Sequence, residues 1–227
     1  EPKFVRMMGR MNAVASFSTA LRERSREVHD EGDHDGFMSC FVTGSGTRDD
    51  YIALISQYWF IYEALEAATD RMRADPVASV FLSDKLTRLP ALEADLAFLV
   101  GPAWRETIAP LPTTQAYVSR IRRVAATWPG GFVAHHYTRY VGDLSGGISI
   151  GRLMKRRFGF DTNGIGFYLF HDIADPKAFK TVYREQLDAA PWDDAEKDRV
   201  IDEVLAAYRF NTELFADLAR AKAAQVA

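Results

Sequence analysis

Apolar residues recur along this chain at intervals of three and four, the period of helices that bury one face. Tyr51, Ile52, Leu54, Ile55, Tyr58, Ile61, Tyr62 and Leu65 form a long stripe. Thr47-Arg48-Asp49-Asp50 in front of it is a T-x-x-D helix start. Leu89, Leu92, Leu96 and Leu99 mark a second helix, stopped by Gly101-Pro102, and Tyr117, Ile121 and Val124 mark a third. Ser18 predicts the cap of an early helix running to about His29. Asp175-Pro176 reads as a cap followed by proline at the first helical position. Asp193 or Asp194 opens a last helix through Val200, Val204, Tyr208, Asn211 and Leu214. Only Phe167 to Phe170 could pass for a strand, and one strand makes no sheet. The pattern predicts one all-α domain of seven to nine helices over 16–222. It is flanked by an N-terminal extension over 1–15, read as flexible, and a short tail over 223–227.

One stripe carries an anomaly. Val133, Tyr137, Tyr140, Val141, Leu144 and Ile148 have helical spacing, yet Gly142, Gly146, Gly147 and Gly151 lie among them. Each glycine costs about 0.8–1 kcal/mol relative to alanine inside a helix. Four together cost about 3–4 kcal/mol, a sizeable part of a stability of about 5–15 kcal/mol. Something needs a bare backbone there: a ligand, a neighbouring helix or a bend. Trp128-Pro129-Gly130-Gly131 is expected to break the chain before this helix.

Composition narrows the class. The chain has 227 residues, 48% hydrophobic and 26% charged, which suits one globular domain with a sizeable core. A net charge of -3 gives no basic excess for nucleic acid. No apolar run approaches the roughly 18 residues of a membrane span, so no membrane partner is expected. No secretory-type apolar core follows the basic N-terminus. The single cysteine, Cys40, has no internal partner, which suits a reducing, cytoplasmic setting.

The candidate chemistry is sparse. His-Glu-x-x-His, Cys-x-x-Cys, phosphate-loop and G-x-S-x-G patterns are all absent from the sequence. Cys40 reads as an idle thiol. Arg22, Arg26 and His29 fall at i, i+4 and i+7, so they share a helix face. An imidazole with two fixed cations suits a metal centre that carries carboxylates, as haem does. Taken alone, the face reads first as a solvated basic stripe. Lys177, Lys180 and Arg184 make a second stripe with the same bland reading. Asp143 faces much the same side as Gly142 and Gly146, where a carboxylate could hold ordered water over a cofactor. It fits equally a structural aspartate bonding Arg139 or Tyr58, and the glycine spacing equally fits G-x-x-x-G helix packing.

Tyr137-Thr-Arg-Tyr-Val-Gly-Asp-Leu-Ser-Gly-Gly147 closely resembles the distal-helix signature of haem oxygenases. Leu21 to His29 resembles their proximal helix, and Phe179 to Arg184 a third family block. Phe210-Asn211, Asp95 to Phe98 and Gly101-Pro102 also fit. The resemblance runs from about Leu21 to Leu218, and it implies haem held between a proximal helix and a kinked distal helix.

It also implies roles. His29 would be the axial ligand of the haem iron. Gly142 and Gly146 would let the distal helix lie directly on haem, with Gly147 serving the bend. Asp143 would anchor a distal water network, supported by Tyr58, Arg139 and Asn211. Arg22, Arg26, Tyr137, Lys180 and Arg184 would hold the propionates or line that edge. Haem would be both substrate and cofactor, cleaved to biliverdin, carbon monoxide and ferrous iron, for iron acquisition. The sequence holds no flavin or nicotinamide motif, so electrons would come from a partner reductase or ferredoxin. A monomer is expected. The alternative is a haem-binding or storage protein without turnover. Ile148 stands where many members have glutamine, and Arg22 and Arg26 stand where several have lysine. His135 and His136 read as structural.

Overall fold

The computed structural model describes residues 15–33 and 37–226, with side chains described for 15–26 and 37–224. The described residues contain helices and no strand. The principal helices are α1 Phe17–Asp33, α3 Arg48–Ala67, α5 Leu89–Val100, α7 Pro112–Thr127, α8 Pro129–His136, α9 Ile148–Phe158, α10 Pro176–Ala189 and α11 Asp194–Val226. Short helices α2 Ser39–Thr43, α4 Thr69–Arg73 and α6 Trp104–Thr107 join them. Between α8 and α9 the helix does not stop. Tyr137–Val141 and Asp143–Gly147 form wider π-type turns around a helical Gly142, so Pro129 to Phe158 is one helical run.

Capping chemistry explains several boundaries. Thr47 accepts from the Asp50 amide at 3.1 Å while Asp50 accepts from the Thr47 amide at 2.7 Å, closing the expected capping box of α3. Asp175 accepts from the amides of Lys177 and Ala178 at 2.9 and 3.0 Å, with Pro176 in the first turn. Asp193 accepts from the Glu196 amide at 2.8 Å and starts α11. Gly101 takes φ 112° and ends α5.

Four expectations need correction. Ser18 does not cap α1: it lies inside the first turn and donates its amide and hydroxyl to Asp188 of α10 at 2.7 and 2.9 Å. The helix starts beside Ser16, whose carbonyl accepts from Thr19 and Ala20 at 3.0 Å, and it runs past His29 to Asp33. The chain breaks only at Trp128, because Gly130 and Gly131 sit in the first turn of α8. An added Cβ on Gly130 would lie 2.5 Å from Glu196 Oε1, and one on Gly131 would run into the Trp128 indole. Close packing therefore explains that glycine pair. The strand-like run at Phe167 holds a 3-10 turn, Gly166–Tyr168. The boundary expected after residue 222 falls inside α11.

The core lies where α11 packs on α8, α1 and α7, and where α3 packs on α5 and α7. Tyr51, Leu54, Ile55, Ile61, Tyr62, Leu96, Tyr117, Ile121, Val133 and Val204 are essentially inaccessible. At about 25 cal/mol per Å² of apolar surface, burying each such side chain favours folding by about 1.5–3 kcal/mol. This core fixes α3 and α11 against the glycine-bearing run, and between them they frame a cavity.

Candidate active site

The cavity has a volume of about 600 Å³, within the usual range for a small-molecule site. One wall is the glycine-bearing run, with Gly142, Asp143, Gly146 and Gly147. Tyr58 of α3, Asn211 and Phe215 of α11, and Val42 of α2 lie on other sides, with Tyr168 and Ile150 beyond. The helix-packing alternative for Gly142 and Gly146 does not describe this structure. A Cβ added to either meets nothing within 4 Å, so the bare backbone faces open space. Gly142 keeps ordinary helical angles, φ -61° and ψ -49°. Extra width in the helix comes from the π turns, which give a helix room to bend.

Behind this wall lies a buried polar network. Asp143 accepts a hydrogen bond from the Tyr62 hydroxyl. The aspartate's partner is thus Tyr62, not Arg139 or Tyr58. Arg139 donates from Nη1 to Asn211 Oδ1 at 2.7 Å. Its guanidinium lies over the rings of Tyr58 and Tyr62, 4.5 and 5.2 Å from their centroids. No described residue accepts from Arg139 Nε. Burial lifts the Asp143 carboxyl to about 6, and Arg139, the Tyr62 bond and Arg88 offset only part of that rise. A carboxyl lifted this far by burial suits a group that organises water.

A second cluster forms at the edge. Lys180 donates to Ser145 at 3.0 Å, within the glycine-bearing run. Tyr137 is buried, which raises its phenol pKa, while the charges of Arg184 and Arg22 act against that rise. Arg184 lies close enough to Lys180 to help lower its pKa, after burial. Arg22, Tyr137, Lys180 and Arg184 are thus brought together from α1, the π segment and α10. Arg184 Nε has no partner among the described residues. Arg26 is exposed on α1. The His29 and His34 side chains lie outside the described residues. The backbone at 29 is helical, one turn beyond the buried Ser25.

The remaining histidines and the thiol read as the sequence suggested. His135 Nε2 meets Glu203 Oε1 at 2.8 Å, and His136 Nδ1 meets the Tyr183 hydroxyl at 2.8 Å, both away from the cavity. Cys40 is half-buried, and burial pushes its thiol up. Among the described residues no His, Cys, Asp and Glu group is arranged to hold a bare metal ion. No described helix is long and apolar enough to cross a membrane.

Sequence reasoning missed Tyr62 and Tyr168. Tyr62 was absorbed into the apolar stripe of α3, and Tyr168 into the strand-like run. The available signal was the hydroxyl: a tyrosine in a buried stripe needs a partner that phenylalanine does not.

The comparisons with known proteins agree with this geometry. The family model described as Heme oxygenase matches residues 15–217. The chain is 37% identical over 205 residues to Heme oxygenase 1 of a Nostoc species, covering 90% of this chain and 86% of that protein. It is 39% identical over 204 residues to Heme oxygenase 1 of Homo sapiens, covering 88% and 71%. The crystal structure of heme oxygenase-1 from the cyanobacterium Synechocystis, in complex with heme, superposes with a TM-score of 0.85 at 35% identity. That match covers 93% of this chain and 98% of the other. A family match over most of the chain, a shared all-α fold and a bare-backboned cavity lead to one conclusion: the chain belongs to the heme oxygenase family.

Proposed function

We propose that the cavity is the haem site and that the chain cleaves haem oxidatively to biliverdin, carbon monoxide and ferrous iron. The observation that carries this reading is the bare backbone at Gly142 and Gly146, open to a cavity of about 600 Å³. A flat macrocycle lies against such a surface, and any Cβ there would intrude. The unpartnered Arg184 Nε and the clustered cations of Arg22 and Lys180 suit the two carboxylates of haem.

The residues then take distinct tasks. Bound haem supplies the iron that binds and activates oxygen. In this reading His29, carried by α1, would hold the haem iron. Arg22, Arg26, Lys180, Arg184 and the Tyr137 hydroxyl would hold the propionates. Asp143 would hold water beside the bound group, and Tyr62 fixes the carboxylate that would do so. Arg139, bonded to Asn211 and placed over the Tyr58 ring, keeps a positive charge beside Asp143 at the cavity. A storage protein would need neither the buried carboxylate nor its phenol anchor. Electrons come from a separate reductase or ferredoxin. A monomeric, cytoplasmic enzyme that releases iron from haem completes the proposal.

The test is reconstitution with haem, followed by addition of reductant and oxygen. Loss of the Soret band with growth of a verdin chromophore is expected. A haem spectrum left intact after complete turnover conditions would overturn the proposal. His29→Ala should abolish the imidazole-type haem spectrum and His34→Ala should leave it unchanged. The reverse result would move the ligand.

A further inference from the structure

Buried phenols in this core generally find partners. Tyr51 donates to the Gly164 carbonyl at 2.6 Å, Tyr62 to Asp143, and Tyr140 to Glu66 at 3.2 Å. Tyr168 differs. It is 2% exposed and forms part of the cavity wall, and among the described residues nothing bonds its hydroxyl. The Tyr117 hydroxyl also lacks such a bond, but its ring is stacked on Phe210 in the core, away from the cavity.

The placement of Tyr168 is enforced from both sides. Asp95 accepts from the amides of Gly164, Gly166 and Phe167 at 2.9, 2.9 and 2.8 Å, which pins the turn that carries Tyr168. From the other side, Gly151 of the distal run clears space for it, and Gly147 lies in contact with its ring. A Cβ on Gly151 would lie 2.6 Å from Tyr168 Cβ. A Cβ on Gly147 would lie 3.4 Å from Tyr168 Cδ1 and 3.4 Å from Asp143 Cβ. Tyr168 and Asp143 therefore flank the same glycine. Burial holds the Tyr168 phenol well above its ordinary pKa, so it remains a donor. A buried hydroxyl without a partner is costly, and a phenylalanine would fill the same wall without that cost.

We propose that Tyr168 is a positioning residue of the cavity, whose hydroxyl donates to a water held jointly with Asp143. An ordered water needs two or more polar partners, and these two groups, both beside Gly147 on the cavity wall, supply them. The proposal rests on the haem reading of the cavity for its role in turnover. Asp143 thereby gains a second donor wall, and the water gains a fixed direction.

The experiment compares Tyr168→Phe with the unaltered chain, with and without haem. The ring is retained, so the fold is too. In the haem-free protein the denaturation midpoint should fall; a rise would show that the hydroxyl had no partner and would overturn the proposal. In the haem-loaded protein, haem affinity and KM should hold within twofold while kcat for verdin falls about two- to tenfold. The acid–alkaline transition of the ferric complex should shift as well. An unmoved transition with unchanged kcat would overturn the role of Tyr168 alone. Failure of the unaltered chain to bind haem would instead overturn the reading beneath it.

Discussion

The helical run from Pro129 to Phe158 carries one glycine group at its start and another near its middle, and the two groups do opposite things. Gly130 and Gly131 are filled in: Trp128, Glu196 and Val200 occupy the space a side chain would take. Gly142 and Gly146 are left open, with nothing within 4 Å of an added Cβ. The carboxylates divide in the same way. Burial alone would raise Glu203, beside the first half, but bonds from Arg120 and His135 overcome it and hold it down to about 2. Asp143, in the second half, is lifted by burial to about 6 because its partners compensate less. One end is finished packing. The other is left open, with bare backbone and a carboxyl that burial lifts. Glycine spacing alone does not distinguish them; the neighbours do.

The largest effect expected from breaking this contrast lies at the finished end. Glu203→Ala leaves the fully buried His135 and the partly exposed Arg120 without their acceptor. Breaking a buried pair on one side costs about 3–5 kcal/mol, and the exposure of Arg120 places this case near about 3 kcal/mol. Denaturant unfolding at neutral pH measures the loss, while verdin formation per folded molecule should stay unchanged. A loss below about 1 kcal/mol would show that the pair does not hold this half. Gly131→Ala comes next. Its methyl group meets the Trp128 ring, so overpacking of about 1–3 kcal/mol should outweigh the gain in helix propensity of about 1 kcal/mol. A more stable variant would mean that the indole moves aside freely.

That contrast also marks how much was legible in the sequence. The stripes of α3, α5, α7 and α11 and the caps at Thr47 and Asp175 could be read directly, because each depends on neighbours within four residues. The distal segment was legible by its resemblance, down to the glycines and Asp143. Its wide π turns were not, since they depend on what packs across the helix. The same limit hid the Asp143 partner: Tyr58 and Tyr62 lie one turn apart on α3 and differ in sequence only by position. Ser18 was misread because its acceptor, Asp188, is 170 residues away. Gly151 looked like part of one pattern with Gly142, yet it clears space for Tyr168, which no local rule connects to it.

A smaller effect, and one with a definite sign, concerns proton binding at the open end. The folded chain holds the Asp143 proton up to about pH 6, whereas an unperturbed aspartate releases it near 3.8. Between those values the folded state binds more protons, so this group's contribution to stability falls as pH rises and is level above about 6. Asp95, also lifted by burial to about 6, acts with the same sign. His136 acts oppositely: burial depresses it to about 3, so its contribution is present above about 6.5 and is lost as pH falls toward 3. The isolating measurement is the stability difference between the unaltered haem-free chain and Asp143→Asn, followed from pH 4 to 7. It should change by about 1–2 kcal/mol in favour of the variant across the window, discounted for the opening of Asp143 onto the cavity. A difference that stays constant with pH would remove Asp143 as a group that titrates near neutrality.

The smallest change in stability should carry the sharpest distinction between the two ends. Gly142→Ala places a methyl group in open space on a helical backbone, so the haem-free chain should gain about 0.5–1 kcal/mol. Its sign is opposite to that of Gly131→Ala, from the same chemical change in the same helical run. The methyl group then stands where haem is proposed to lie, so haem affinity or verdin yield should fall by at least about tenfold, the loss expected for overpacking by one methyl group. Unfolding of the haem-free chain and haem titration separate the two consequences. Stability gained with haem binding retained would mean that the bare backbone is not needed for close approach. Stability lost would mean that the open space is occupied by the fold itself, and the two glycine groups would then share one explanation.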